Sequence, residues 1–485
     1  MATNPPKTFP PPPPRPAVPA LEKVKHVHLS AVAGTGMGAL AGMLKGRGFH
    51  VTGSDQNVYP PMSTQLAAQQ IPVMVGYKAE NLQPRPDLVI VGNALSRGNP
   101  EIEALLESGI PYVSYPEALS KFFITGKHSI VIAGTHGKTT TCSLAAAVLD
   151  HAGENPSFLI GGVPLNFGLG QRLSAGKHFV VEGDEYDTAF FDKESKFLHY
   201  QPKTAIVTSV EFDHADIFRD LDHVKAAFRK FVGLIPKDGL LVYCADDAGA
   251  VDVSTSCTAP KESYGLKAKA DWTVANLAWK DGRATFDVMK RGAKIARIES
   301  PLLGEHNLAN TLGVIAALHG AGIAPEKIAA GVKAFQGVKR RQEVRGEKNG
   351  ITVLDDFAHH PTAVKVTLDA LRAGFPGRRL WAIFEPRSAT SRRKVFQQQY
   401  AEAFGPADKI VIADVYLADK LSPELRFDPK QLAEDIRAHG KDAVALPNAD
   451  EIVKAVLAQK QPGDVIAVLS NGGFDNIHEK LLAGL

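Results

Sequence analysis

The chain has 485 residues, 44% of them hydrophobic and 22% charged, with a net charge of +3. That length calls for about two to four domains, and the near-neutral balance excludes the basic footprint of a nucleic-acid or membrane-surface binder. Three cysteines (Cys142, Cys244 and Cys257) lack metal-site spacing and make no disulfide framework, which points to a reducing compartment.

Pro10 to Pro14 form an unbroken run, with further prolines at 5, 6, 16 and 19. Residues 1–20 are therefore expected to be a disordered or polyproline tail. No apolar run suits a signal peptide or spans a bilayer, so the expected location is the cytoplasm, with no membrane or nucleic-acid partner.

Residues 24–33 read as a first strand, followed by Gly34-Thr35-Gly36-Met37-Gly38-Ala39 and a helix through about Gly46. A second strand ends at Asp55, and residues 87–92 and 111–115 read as further parallel strands. This alternation predicts a Rossmann-like domain over 21–125. Gly34-x-Gly36-x-x-Ala39 with Asp55 formally fits a dinucleotide, which keeps a nicotinamide oxidoreductase open. The diphosphate of a UDP-sugar uses the same helix N-terminus, with Gly34, Thr35, Gly36 and Met37 at the turn and Asp55 near the uridine end.

The most informative stretch is Ser129–Cys142. A β-branched run leads into Gly134-Thr135-His136-Gly137-Lys138-Thr139-Thr140, then an Ala-rich helix. Strand, glycine turn, Lys-Thr and helix make a phosphate-binding loop for ATP. Its N–H groups and the helix N-terminus face phosphate, Lys138 supplies a point charge, and Thr139 is placed for Mg²⁺. Position 132 is Ile where the general pattern has Gly. A P-loop switch or binding module without ligation is the rival from another class.

Strands at 178–183, 204–210 and 240–244 continue a parallel sheet, and alternation over about 262–300, with Asp281-Gly282 and Arg291-Gly292 turns, predicts antiparallel hairpins. Glu182 ends one strand and is a metal-ligand candidate; His214 follows another and is a candidate for a second metal or for substrate positioning. Asn307 and Asn310 share a face of the helix Glu305 to His319 and suit an adenine edge. This central ATP-binding domain covers 126–336.

The last domain, 337–485, alternates strands at 351–357, 380–385, 409–415 and 465–470 with helices at 361–373, 391–404, 429–439 and 450–459. It reads as a second Rossmann-like unit. Asp355-Asp356-Phe357-Ala358-His359-His360 closes its first strand as an active-site lip; adjacent histidines lack the i,i+4 spacing of a helical zinc pair. Arg340-Arg341 at the junction suits a phosphoryl group, and Arg387 suits a substrate carboxylate. The predicted fold class is α/β with three domains: N-terminal Rossmann-like, central P-loop parallel sheet with a small antiparallel part, and C-terminal Rossmann-like.

In this order, GTHGKTT, Glu182, His214 in DHAD, the EHN helix, Arg340-Arg341 and DDFAHHPTA resemble the Mur ligase family from Val24 onward. The resemblance implies ATP-dependent amide formation on UDP-N-acetylmuramate through an acyl phosphate, with Mg²⁺. It implies catalytic roles for Lys138, His214, Arg341, Asp356 and His359, and metal ligands Thr139, Glu182 and His214. ATP contacts are implied for 134–140 with Asn307 and Asn310, and peptide contacts for Arg387 and His360. One branch of the family joins free L-alanine; another attaches the tripeptide L-Ala-γ-D-Glu-meso-diaminopimelate. VTGSDQNVYPPMST, GDEYDTAFFDKESKFLHY, EFDHADIF, EPRS and SNGGF are similar to the second, and Tyr186 stands where the first has Ser. Lys225 and Lys230 do not align with the carbamoylated lysine of some members, so no carbamate is expected. A monomer is the expected state.

Overall fold

The computed structural model describes residues 10, 12–59, 62–213, 217–280, 283–418, 421–422 and 424–485. His214, residues 1–9 and 11 of the expected tail, and the Asp281-Gly282 turn lie outside the described residues, whereas Arg15 pairs with Glu117 (3.0 Å) and Val18 packs on the core, so this part of the expected disordered tail is held against the first domain. Among the described residues, no helix is long and apolar enough to cross a membrane.

The first sheet contains β1 (His26–Ser30), β2 (His50–Asp55), β3 (Val73–Val75), β4 (Leu88–Val91) and β5 (Tyr112–Ser114), all parallel in the order β3-β2-β1-β4-β5. Strand order reverses at β1, and the helix Thr35–Gly46 starts there, so the Gly34 turn lies at the crevice where α/β sheets take ligands. The first strand is shorter than the apolar run because Ala31 turns left-handed at φ 69° and donates its N–H to Ser54.

The central sheet joins β6 (His128–Ala133), β7 (Ser157–Leu159), β8 (Gln171–Arg172) and β9 (His178–Gly183) to β12 (Thr204–Val207), β13 (Leu240–Cys244) and β14 (Lys261–Tyr264). Between β9 and β12 stands a separate hairpin, β10 (Asp187–Ala189) with β11 (Asp192–Ser195). Three long antiparallel strands extend the same sheet: β15 (Trp272–Lys280), β16 (Arg283–Lys290) and β17 (Ala293–Ser300). Arg291 and Gly292, both at positive φ, make the β16–β17 turn. β6 lies between β9 and β12, so the P-loop emerges at this sheet's own reversal point, flanked by the ends of β9 and β12.

The C-terminal sheet, order β18-β19-β23-β20-β21-β22, comprises β18 (Glu343–Lys348), β19 (Ile351–Asp356), β20 (Leu380–Phe384), β21 (Lys409–Ala413), β22 (Asp442–Leu446) and β23 (Val465–Leu469), with only β18 antiparallel among the described strands. The helix expected over 391–404 is broken. Lys394 donates its N–H to Leu425 and Phe427 donates to Arg392, so this stretch pairs with a loop and the α-helix runs only Gln397–Ala403.

One apolar core runs unbroken through the first two sheets, with Phe122, Phe123 and Ile124 at the join and Phe49 edge-on to Phe122. The C-terminal sheet keeps its own two cores, one on each face. It meets the rest through both polar and apolar contacts, among them Asp213 with Thr390 and Phe212 with Phe396.

Candidate active site

Two glycines shape the P-loop. Gly134 (φ 144°) has Thr208 Oγ1 where a Cβ would stand, and a Cβ on Gly137 (φ 83°) would lie 2.8 Å from Asn310 Oδ1. Ser209 fixes the loop between them, accepting from the N–H of Thr135 (2.9 Å) and His136 (3.1 Å). The helix Lys138–His151 then begins without a side-chain cap, leaving its first-turn N–H groups to face a ligand.

Lys138 Nζ donates to Gly134 O (2.6 Å) and Glu185 Oε2 (2.8 Å). Burial works against its charge, but Glu185 and Asp184 outweigh that and hold it above the ordinary lysine range. Thr139 Oγ1 donates to Glu182 Oε2 (3.2 Å), whose other oxygen accepts from the N–H of Gly161 (2.8 Å). Burial, with Asp184 adding to it, raises the Glu182 carboxyl above its usual range. A hydroxyl beside a half-buried carboxylate is a donor set that fits Mg²⁺.

Arg341 and Arg340 diverge. The Arg341 guanidinium lies 5.0 Å over the Phe357 ring and donates to Thr139 Oγ1 at 3.4 Å. Arg340 also lies over the Phe357 ring (5.2 Å) but ties Ser470 O (2.6 Å) and Gly472 O (2.7 Å). Asp356 is buried beneath them, accepting from the N–H of Gln342 and Ala358, both at 2.8 Å; burial raises its carboxyl.

Asn307 and Asn310 are both buried beside the loop, but their amides are already engaged. Asn307 donates to Leu303 O, and Asn310 packs on Gly137 and reaches Asn307 Oδ1 at 3.5 Å. His359 Nδ1 is 3.0 Å from Phe357 O, and burial lowers its proton affinity. His360 and Arg387 have different neighbours. His360 caps the helix Pro361–Gly374 and meets the P-loop His136, ring centroids 4.7 Å apart. Arg387 packs against Gly472, 3.6 Å over the Tyr416 ring and 3.4 Å from Glu385. Lys225 and Lys230 pair with Asp252 and Glu194.

A cavity of about 680 Å³ opens between the first and central sheets. Gly34, Thr35, Gly36, Met37 and Asp55 all line it, and Glu182, Asp184, Tyr186 and Lys196 form the facing wall. Asp55 Oδ2 accepts from the N–H of Ala33 (2.9 Å), which fixes the glycine turn. Tyr77 donates to Asp55 Oδ1 at 3.4 Å, and burial followed by the Asp55 charge pushes its hydroxyl up to about 12. Glu182 therefore belongs to the cavity wall and to the P-loop corner at once. The sequence assigns no role to Tyr77, Tyr115 or Lys196, and it places Glu185 only within the acidic run that follows the strand 178–183.

The loop 211–213 also clasps the C-terminal unit. Glu211 Oε2 accepts from Thr362 Oγ1 (2.8 Å) and lies 3.4 Å from His136 Nε2; Phe212 meets Phe396; Asp213 accepts from Thr390 (2.8 Å). Glu211 further donates its N–H to Thr135 Oγ1 (2.8 Å), so the same residue touches the P-loop twice. Glu211→Ala is expected to lower kcat/KM for the acceptor roughly tenfold, the scale of one charge-assisted hydrogen bond, with the melting temperature nearly unchanged. Small-angle scattering with nucleotide bound should show a more open average; a wild-type profile would refute the clasp.

A P-loop that shares Glu182 with a nucleotide-sized cavity, with a separate α/β unit reaching the loop through Arg341, defines an enzyme that activates one substrate with a nucleoside triphosphate. The chain belongs to the Mur ligase family. Residues 26–125 match the model described as "Mur ligase family, catalytic domain", 132–318 the "Mur ligase middle domain", and 340–472 the "Mur ligase, glutamate ligase domain". The UDP-N-acetylmuramate--L-alanyl-gamma-D-glutamyl-meso-2,6-diaminoheptandioate ligase of Escherichia coli (strain K12) is 42% identical over 95% of this chain and 98% of its own. The UDP-N-acetylmuramate--L-alanine ligase of Acetivibrio thermocellus is 35% identical, covering 95% and 96%. The crystal structure of a murein peptide ligase from Psychrobacter arcticus 273-4 superposes with a TM-score of 0.70 at 37% identity, over 95% of this chain and 98% of that one.

Proposed function

We propose that this protein is an ATP-dependent ligase joining L-Ala-γ-D-Glu-meso-diaminopimelate to UDP-N-acetylmuramate. The observation that carries this reading is Glu182, which walls the nucleotide-sugar cavity while accepting from the P-loop Thr139. A sugar acid in that cavity presents its carboxylate where a γ-phosphate would end.

The functional division that follows is 21–125 for the UDP-sugar, 126–336 for ATP and 337–485 for the acceptor. A carboxylate approaching a triphosphate meets strong repulsion, so charge neutralisation and positioning are the main catalytic tasks. Lys138 and the first-turn N–H groups from Gly137 onward stabilise the β- and γ-phosphates. Mg²⁺, held by Thr139 and Glu182 with His214 as a further candidate, would screen the phosphate charge. The muramyl carboxylate attacks the γ-phosphorus, ADP leaves, and an acyl phosphate forms. Arg341 reaches the transferring phosphoryl group from the C-terminal unit, with Asp356 bracing its turn. The L-Ala amine then attacks the acyl carbon and inorganic phosphate departs. His359, neutral through burial, takes the proton that the amine loses. His360 and Arg387 lie on the lip that the acceptor must pass.

The tripeptide is favoured over free L-alanine by the higher identity to the tripeptide-ligating relative and by Tyr186 on the cavity wall. We place the reaction in the cytoplasm, where ATP and UDP-linked precursors are available, and expect a monomer. With Mg²⁺, ATP and UDP-N-acetylmuramate, ADP release should depend on the tripeptide, whose kcat/KM should exceed that of L-alanine at least about a hundredfold, or nearly 3 kcal/mol of differential binding. Equal use of both acceptors would favour the L-alanine reading, and no ADP with either would end the assignment.

A further inference from the structure

Lys196 opens the short turn Lys196–His199 after the β10–β11 hairpin, its N–H bonded to Tyr186 O at 3.1 Å. Its side chain is buried at 8% exposure, yet it lines the cavity. The ammonium lies 4.1 Å from the centre of the Tyr186 ring and 5.6 Å from that of Tyr115. Among the described residues it has no hydrogen-bond acceptor and no ion-pair partner.

The nearby carboxylates are each engaged elsewhere. Asp184 accepts from Tyr186 Oη (2.8 Å), Asp187 from Lys193 (2.8 Å) and Glu185 from Lys138 (2.8 Å). Burial pulls the Lys196 proton affinity below the ordinary lysine range, and these carboxylates only partly offset it. A charged amine held in an aromatic cage without an acid is costly by the protein's own contacts alone, and an anion arriving in the cavity removes that cost.

The position selects the anion. Tyr115, one wall of the cage, also backs the glycine turn: a Cβ on Gly36 would lie 3.4 Å from its Cζ. Lys196 thus faces the N-terminus of the helix Thr35–Gly46 across one cavity, the helix belonging to the first sheet and the lysine to the central unit. We infer that Lys196 is a second anchor for an anionic group of the nucleotide-sugar, gripping it from the side opposite the glycine turn. The inference rests on the proposed UDP-N-acetylmuramate site. That ligand carries two anions, a diphosphate and a carboxylate, and both have the chemistry to pair with the ammonium.

Calorimetric titration of the full chain without ATP tests this, using UDP-N-acetylmuramate and UDP-N-acetylglucosamine, which lacks the carboxylate. Lys196→Met keeps the length of the side chain and should melt no lower than wild type, because it relieves a buried charge. Its affinity for UDP-N-acetylmuramate should fall roughly 10- to 100-fold, the range for a charge-assisted hydrogen bond. An equal loss with both nucleotides assigns the diphosphate; a loss confined to UDP-N-acetylmuramate assigns the carboxylate. Lys196→Gln keeps a polar end in the cage and must show the same loss if the Met variant does not fold. Unchanged affinity for both nucleotides overturns the anchor alone, whereas a wild-type chain that binds neither nucleotide overturns the substrate reading with it.

Discussion

Lys138→Met is expected to lose about three orders of magnitude in turnover, the scale measured for removing a group that stabilises charge in a transition state. The same change should also destabilise the fold. The Lys138 ammonium is ion-paired with Glu185, a carboxylate with a side chain only 3% exposed. Removing one member of a buried ion pair costs about 3–5 kcal/mol. The single variant therefore mixes two effects, and Lys138→Met with Glu185→Gln separates them. The double variant should regain most of the lost melting temperature, because the carboxylate charge that Lys138 balances is removed with it. It should not regain turnover, because the positive charge at the phosphates is still gone. Phosphate release coupled to UDP-N-acetylmuramate and tripeptide, read beside thermal unfolding, distinguishes the two effects. Recovery of turnover with recovery of stability would mean that Lys138 acts only by holding Glu185.

The parts legible in the sequence are those where one local geometry needs one residue type. Gly134 and Gly137 announce the P-loop because a Cβ has no room there, and Lys138 and Thr139 follow at fixed spacing. Glu182 was readable because strand ends at a parallel sheet's reversal point face the ligand. The long apolar strands were readable for the same kind of reason, while β18, with residues Glu343–Lys348, is an exposed edge strand without a hydrophobic run. Val73–Val75 and Ser157–Leu159 are too short to show a period. Partnerships across the fold left no local trace. Nothing near Lys138 signals Glu185, and nothing near His360 signals that its neighbour is His136 rather than His359. Lys196, between Ser195 and Phe197, looks like any lysine until the hairpin folds it between two tyrosines.

Arg340 and Arg341 show how backbone handedness divides identical side chains, and they carry the second large prediction. Arg340 (φ 60°) and Gln342 (φ 51°) are both left-handed, and Asp356 fastens the turn by accepting from the Gln342 N–H. The turn sends Arg340 into its own unit, onto Asp355, Ser470 and Gly472. It sends Arg341 across the interface to Thr139. Arg341→Ala should therefore lower kcat by about a thousandfold, the lower end for an arginine that stabilises a transferring phosphoryl group, while ADP binding changes little. Arg341→Lys should rescue less than a tenth of that loss, since a point charge on a flexible stem lacks the planar fork. Arg340→Ala should do the reverse, lowering the melting temperature through the lost ties to the Gly472 loop and leaving a larger share of turnover per folded molecule. Single-turnover phosphoryl transfer and thermal unfolding of the three variants provide the check. If Arg341→Ala keeps kcat within tenfold of wild type, the arginine only docks the C-terminal unit, and the phosphoryl group is stabilised by the P-loop alone.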